Sequence, residues 1–364
     1  MRSKIRVFFL LAILIFIVHF LATFYAADRL TTTLDRNAPI EARFAPSFAI
    51  ALCTLPLLQL TVLNSIIIAI IAAWVLTYLQ WRAVLAIVIG VPLLLLIAMT
   101  GGAMILERRI ERGWHELAPH PIEPAPRGTL ETSLGNQPIE PLNSYLTKQI
   151  ARGDDRVDPL PQEVDWFLVA HRSEIDALRH QLPVTADPLA RFRMQKILLV
   201  DALQSRSWEE VNAAERVTDA LLHQPNFNSV LYAIAATKNQ LGVMRKLGPP
   251  ARAPIPSYDP HQRLIDAIAA QDAHILKISS PWYARPYARL CLAESAYSAV
   301  RQATLIRDLR GRRLDVPPER EPKPWVPFNP MGVLGGGARY AIRANQLLLD
   351  RERTAVSLAS RKPS

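Results

Sequence analysis

Charged residues are absent from the longest apolar stretch of this chain, the 38 residues from Phe44 to Trp81. Cysteine is scarce as well: Cys53 lies in that apolar block and Cys291 far along the chain in the soluble part, so we expect no disulfide framework. The sequence also lacks the spacings of zinc ribbons, metalloproteases, dinucleotide-binding loops and phosphate-binding loops. We therefore predict no cofactor and no metal.

The charged residues lie mostly after residue 106. Residues 1–106 hold seven Lys/Arg and three Asp/Glu, whereas residues 107–364 hold 35 and 29. This division predicts a transmembrane domain over 1–106, followed by a water-soluble part that is long enough to bury a core of its own.

The net charge of +10 is concentrated near the carboxyl end, where residues 301–364 hold 13 basic and six acidic side chains. No aromatic residue interleaves the basic run RDLRGRR, so we expect no nucleic-acid binding. The run is interpreted as a solvated face or as a contact with anionic lipid headgroups through Arg310, Arg312 and Arg313.

The apolar blocks predict helices that cross a membrane. The uncharged run over about 7–27 matches a hydrocarbon core of about 30 Å and is too long for the apolar region of a cleaved signal peptide. A last span is predicted over 83–106, where Pro92 and Gly101-Gly102 are tolerable in a membrane helix.

The block from Phe44 to Trp81 raises the question of one crossing or two, because a single straight helix would reach about 57 Å, nearly twice the hydrocarbon thickness. One arrangement folds back at Leu63-Asn64-Ser65 and gives spans of about 46–62 and 65–80. The other begins a single span after Pro56, a residue suited to a first helical turn.

The distribution of Lys and Arg around the spans favours four spans with both ends inside the cell. Seven basic residues then flank the cytoplasmic side and four the outer side. Three spans with the amino end outside also leave seven inside, and both arrangements put the soluble part in the cytoplasm. We expect a multi-pass protein of the cell (inner) membrane.

The soluble part reads as helical almost throughout, so the predicted fold class is all-α: membrane helices followed by a helical bundle or stacked helical hairpins. Six prolines in residues 117–141 predict an extended linker within 107–160. A helical domain follows over 161–310, and 311–364 holds a proline-rich break and a basic terminal helix.

Helix-start signals are clearest in the middle of this domain. Asp187 before Pro188 predicts a capped first turn. Ser207 and Glu210 have the spacing of a capping box, in which each side chain satisfies the other's backbone N–H. A helix of the following segment is predicted to stop at Gly248, which precedes two prolines.

The segment RSWEEVNAAERVTDALLHQPNFNSVLYAIAATKNQLGVMRKL, within about residues 187–247, resembles a pattern of uncharacterised bacterial membrane-anchored helical proteins. In that pattern a helix beginning near a Trp-Glu pair is followed by a polar turn and an apolar helix that ends in a basic pair. The resemblance implies an α-helical fold and no assigned activity. It also implies that the helical part lies on the export side, which conflicts with the charge distribution.

Two further features are considered as chemical sites, a cluster of histidines and aspartates and a single cysteine. His261, Asp266, Asp272 and His274 resemble a metal-binding set, but helical spacing spreads them around the axis, so we interpret them as the polar face of an amphipathic helix. Cys291 in an apolar helix is interpreted as a small hydrophobe.

The best predicted interaction surface is the SSPWYARPYAR segment, because aromatic and arginine residues are favoured at interface centres; the alternative is that they cover a core edge. Its residues are Trp282, Tyr283, Arg285 and Tyr287.

These observations predict a membrane-anchored helical domain that contacts lipids and binds another protein, without catalysis. The first alternative is a membrane enzyme whose site forms only in three dimensions. The second is an accessory subunit of a transport or envelope system, with Asn64 among its intramembrane polar contacts.

Overall fold

The computed structural model describes residues 2–35, 38–53, 61–124, 127–152, 155–248, 255–275, 280–312, 325–327, 329–331 and 334–360. Within these ranges every element of regular secondary structure is a helix, and the one β-bridge, Leu130 with Pro183, is isolated. The all-α prediction is confirmed. The chain divides into two compact units: unit 1 comprises residues 1–116, 272–301 and 320–335, and unit 2 comprises the remainder.

Unit 1 contains the apolar helices. They are α1 (Arg2–Asp35), α2 (Ile40–Cys53), α3 (Thr61–Tyr78) and α4 (Trp81–Leu117), whose last residue falls in unit 2. Two helical stretches, Lys4–Leu34 and Trp81–Leu117, are long and apolar enough to cross a membrane, and the shorter Val62–Tyr78 is apolar as well. Most of the large apolar side chains of these helices are exposed.

The fold-back predicted at Leu63-Asn64-Ser65 is not found, because these residues lie in the first turns of α3. Asn64 and Ser65 are fully buried, and the Ser65 hydroxyl lies 2.9 Å from Nδ1 of His19 in α1. The polar pair that suggested a turn is instead part of a helix contact. The competing break at Pro56 lies outside the described residues.

Helices α2 and α3 both run antiparallel to α1. The α1–α2 connection is short, and the rings of Phe8 near the start of α1 and Tyr78 at the end of α3 are 6.5 Å apart. Contacts of both helices with α1 support this arrangement. The long uncharged block therefore travels in one direction as two helices.

Unit 1 also includes part of the chain that was predicted to be separate from the membrane domain. Helix α12 (Arg285–Asp308) lies parallel to α4: Leu290 contacts Gly102, and Val300 contacts Gly113. Both guanidinium–carboxylate contacts between Arg289 and Glu107 measure 2.6 Å. The sequence boundary at residue 106 therefore does not coincide with the boundary of a compact unit.

The predicted linker over 107–160 is largely structured. Helix α4 extends into it, and α5 (Glu140–Ala151) buries Leu142, Tyr145 and Leu146. Pro141 lies in the first turn of α5, where a missing N–H costs nothing. The prolines were read as an extended spacer, but this one begins a helix.

Unit 2 is built on three helices that pack on one another, α8 (Pro188–Ser205), α9 (Trp208–Leu222) and α10 (Phe227–Leu247), with α13 (Gly337–Ala359) against α10. Asp187 caps α8 as predicted, and α10 ends at Gly248, whose φ is +81°. The start of the predicted helical domain holds two short helices that meet at His171. These and the remaining helices are α6 (Gln162–Ala170), α7 (Arg172–His180) and α11 (Pro260–Ile275).

The predicted capping box at the start of α9 is half correct. The Ser207 hydroxyl accepts a hydrogen bond from the Glu209 N–H at 3.1 Å, as an N-cap should. Glu210 does not return the contact: its side chain is buried and lies 2.7 Å from the guanidinium of Arg179 in α7. A tertiary ion pair has replaced the local hydrogen bond.

Candidate functional site

A cleft of about 770 Å³ opens in unit 2 between α9, α10 and the segment that leads into α11. A smaller cleft of about 370 Å³ adjoins it and shares Tyr258 and Arg263 with it. Together they form an elongated groove, which we call the α9 groove. Besides Tyr258 and Arg263, its polar lining residues are Asn212, Glu215, Arg216, Thr218, Asp219, Gln240 and Ser257 in the larger part, and His120, Glu123, His223, Asp259, Gln262 and Asp266 in the smaller part.

Tyr258 forms the wall between the two parts of the groove. Its hydroxyl lies 2.9 Å from the Thr237 hydroxyl, and the Arg351 guanidinium lies 4.5 Å from its ring centroid. Burial raises the pKa of Tyr258 to about 12, so the phenol stays neutral and acts as a hydrogen-bonding group. Because the ring also packs against the apolar cluster of Leu221, Leu222 and Ala233, its position is fixed.

Glu215 and Asp219 form an acidic pair on the groove face of α9, one helical turn apart. Burial raises the pKa of Glu215, the Asp219 carboxylate raises it further, and Gln240 opposes the shift. The Gln240 side chain is fully buried, and its amide oxygen has no hydrogen-bond partner among the described residues. The groove therefore presents a negative charge and an unused acceptor, both suited to a donor supplied from outside.

Basic groups lie along the same groove. Arg263 lines both parts of it, and Arg216 lines the larger part while donating to the Arg179 carbonyl. Charges of both signs along an elongated groove match the alternating donors, acceptors and charges of a polypeptide segment. Small-molecule sites, by contrast, are mostly apolar with few polar groups.

The predicted interaction surface is only partly a surface. Trp282 and Tyr283 are exposed, at 77% and 49%, and Arg285 is exposed too. Tyr287 is buried, and its hydroxyl donates a 2.6 Å hydrogen bond to the Pro327 carbonyl. Tyr287 is therefore not part of an exposed surface, because its hydroxyl is hydrogen-bonded inside the protein to a carbonyl forty residues away.

The predicted headgroup contacts lie at the end of α12 and beyond. Arg310 is exposed and pairs with Asp259 at 3.0 Å, and Arg312 is exposed while its carbonyl accepts from Asn345 at 3.1 Å. Arg313 lies outside the described residues.

The metal-like residues have separate partners. Asp266 accepts from the His120 N–H at 2.8 Å, Asp272 accepts from the Trp114 indole at 3.0 Å, and His261 is buried. The side chain of His274 lies outside the described residues. In the described part of the chain, no three His, Cys, Asp or Glu side chains converge as metal ligands would.

Cys291 is buried, and burial raises the pKa of its thiol to about 12. A thiol with so high a pKa carries no thiolate at neutral pH, and it behaves as the small hydrophobe predicted from the sequence.

The groove was missed at the sequence level because Glu215, Gln240 and Tyr258 come from three separate segments. One local signal was available: two carboxylates one turn apart in a mainly apolar helix destabilise that helix unless something compensates them. Comparisons with protein-family models, with curated proteins and with solved structures find no match to this chain.

Replacing Glu215 by glutamine is expected to stabilise unit 2 at neutral pH by less than about 1 kcal/mol, because the carboxyl is only partly buried. The pKa of Glu215 in the folded protein lies above the ordinary 4.5. Ionising this carboxyl therefore lowers the stability of the folded protein; the loss is absent below the unfolded pKa and appears as the pH rises through the folded pKa. Thermal unfolding followed by circular dichroism at pH 4 and pH 7.5 checks this. The two proteins should match at pH 4, and a lower melting temperature of the variant at pH 7.5 would contradict the assignment.

Proposed function

We propose that this protein is a multi-pass membrane protein that holds a helical domain at the cytoplasmic face, where the α9 groove binds a segment of a partner polypeptide. The observation that carries the binding role is the buried amide oxygen of Gln240, which has no hydrogen-bond partner among the described residues and lies beside the acidic pair Glu215 and Asp219. Buried polar groups without a partner are rare in native folds, and a bound ligand that supplies a donor is one explanation for such a group.

The membrane anchor has three passages in this proposal. Helix α1 is the first, α2 and α3 together are the second, and α4 is the third. The antiparallel pairing of α1 with both α2 and α3 supports a single passage of the long uncharged block. The two-residue connection from α3 to α4 supports a return passage, and the 22 residues from Trp81 to Gly102 measure about 32 Å as a helix.

Basic residues set the orientation. With three passages, Arg2, Lys4, Arg6 and Arg82 lie on one side, and seven arginines of the α1–α2 connection and of residues 107–127 lie on the other. Because Lys and Arg near spans are retained in the cytoplasm, the seven arginines and the helical domain are cytoplasmic and the amino end is outside.

Cysteine accessibility in the full-length protein tests this topology. The variants Pro39→Cys, Gln80→Cys and Thr129→Cys are labelled in intact cells with a membrane-impermeant maleimide. We expect labelling at 80 only, and labelling at 39 and 129 only after permeabilisation. Labelling at 39 from outside supports four spans instead, and labelling at 129 reverses the orientation.

Site-specific photocrosslinking tests the binding role. A photoreactive benzoylphenylalanine replaces Asn212, which is exposed in the α9 groove, or Gln204, which is exposed on α8 away from the groove lining. We expect a discrete polypeptide adduct from position 212 and none from 204. Equal adducts from both positions, or none from 212, would contradict binding in the groove.

A further inference from the structure

We propose that the 3₁₀ turn Trp282–Ala284, at the start of α12, inserts its aromatic side chains into the bilayer, on the lipid side of the interface that α4 crosses near Gly102. Trp282 and Tyr283 would then contact phospholipid rather than a protein partner. The inference rests on the membrane anchor proposed above and adds a lipid-contacting site in a part of the chain far from the predicted spans.

The exposure of the turn calls for a partner. Trp282 is 77% exposed, and its ring meets that of Tyr283 edge to face at 5.8 Å, while Ala284 behind them is buried. Two adjacent aromatic rings left in water are unfavourable, and Trp and Tyr are the residues enriched where membrane meets water, since each joins an apolar ring to a polar tip.

The register of α12 on α4 gives the depth of the turn. Leu290 contacts Gly102 and Val300 contacts Gly113, so ten residues of α12 advance beside eleven of α4. Tyr283 precedes Leu290 by seven residues, which places the turn about 10 Å before Gly102 along the α4 axis. That level lies beside the exposed apolar side chains of Leu94 and Ile97, within the stretch that crosses the membrane.

Helix α2 leads to the same level independently. It contacts the turn, and the ring of Phe48 lies 5.3 Å from that of Tyr287. Since α2 runs antiparallel to α1, its ninth residue, Phe48, lies beside the last apolar turns of α1. The exposed aromatic residues Phe24 and Tyr25 are in those turns. All of these aromatic side chains belong to one end of the apolar helices of unit 1.

The charges near the turn are compatible with this depth. Arg289 is neutralised by Glu107 through two 2.6 Å contacts, and Arg285 is exposed on a long side chain that can extend to a headgroup phosphate. A protein-binding surface would not require the turn to lie at the level of the exposed apolar side chains of Leu94 and Ile97.

Quenching by brominated phosphatidylcholine tests the inference in the full-length protein reconstituted into vesicles. The emission of Trp282 is isolated as the difference between the unaltered protein and Trp282→Phe. Trp74→Phe, in the apolar α3, serves as the membrane control, and Trp325→Phe, an exposed residue 58% accessible in the same unit, as the control outside it. The Trp325 N–H binds Glu294, one turn beyond Leu290 and away from the turn. Phenylalanine keeps an aromatic ring at each site.

We expect brominated lipid to reduce the Trp282 and Trp74 contributions about twofold or more, and to leave the Trp325 contribution unchanged. If Trp74 is quenched and Trp282 is not, the turn is outside the bilayer and this inference fails while the anchor stands. If neither is quenched, the anchor fails as well. Protection of Trp282 from both lipid and aqueous quenchers would indicate a protein partner instead.

Discussion

Replacing Arg179 by methionine is expected to lower the free energy of unfolding of helices α7, α8 and α9 by about 3–5 kcal/mol. The Arg179 guanidinium lies 2.8 Å from Asp201 and 2.7 Å from Glu210, two carboxylates that are 1% and 2% exposed. Methionine fills much of the same space but leaves Glu210 buried without a cation. Asp201 keeps a second contact with Arg172 at 2.7 Å, so Glu210 carries most of the cost.

Hydrogen–deuterium exchange in the full-length protein measures this loss locally, which avoids treating a two-unit chain as one cooperative transition. Asp176→Asn is the matched control, since Asp176 contacts the same guanidinium at 3.2 Å but is 47% exposed, and we expect a change of about 0–1 kcal/mol. Adding Asp201→Asn and Glu210→Gln to Arg179→Met should recover much of the loss. If the triple variant is as unstable as the single one, lost packing and not unpaired charge is the cause.

The parts of the fold that follow from local chemistry could be predicted from the sequence. Asp187 and Ser207 cap their helices because each needs only the N–H groups two or three residues ahead. Gly248 ends α10 because it can adopt a positive φ. Helix periodicity over long segments likewise predicted the all-α fold class.

Predictions failed where a residue's partner lies far along the chain. Ser65 was predicted to be part of a polar turn, but in the structure it contacts His19, which lies 46 residues earlier in the chain. Glu210 has the spacing of a capping box until Arg179 approaches it from another helix. Spacing cannot reveal such partners, because several segments must first be packed together.

The same reason hid the candidate site. The acidic pair of α9 is visible in the sequence, but Gln240 and Tyr258 join it only through the packing of α10 and of the segment before α11. The aromatic segment at Trp282 was recognised from composition alone, which could not distinguish the exposed rings from Tyr287, whose hydroxyl is satisfied internally.

Replacing Glu294 by leucine is expected to release the segment 325–331 from α12, at a cost of about 2–4 kcal/mol in local stability. The Glu294 side chain is 2% exposed and accepts from the backbone N–H groups of Trp325 and Val326, at 2.5 and 3.1 Å, and from the Asn329 amide at 2.8 Å. Leucine has nearly the same volume but no acceptor, so buried donors are left unpaired. Hydrogen–deuterium exchange at the two backbone amides should accelerate by about thirtyfold or more, which corresponds to the lower limit of that cost.

Glu294→Gln is the matched control, because its amide oxygen can still accept from the two backbone groups, and we expect less than half of the leucine effect.

Tyr287→Phe removes the second contact that holds the segment, the hydrogen bond from the hydroxyl to the Pro327 carbonyl, and should cost about 1 kcal/mol. In Glu294→Leu the lipid quenching of Trp282 should persist, because the 3₁₀ turn contacts α2. Unchanged exchange at both amides would show that Glu294 does not hold the segment, and loss of Trp282 quenching would tie the turn to it.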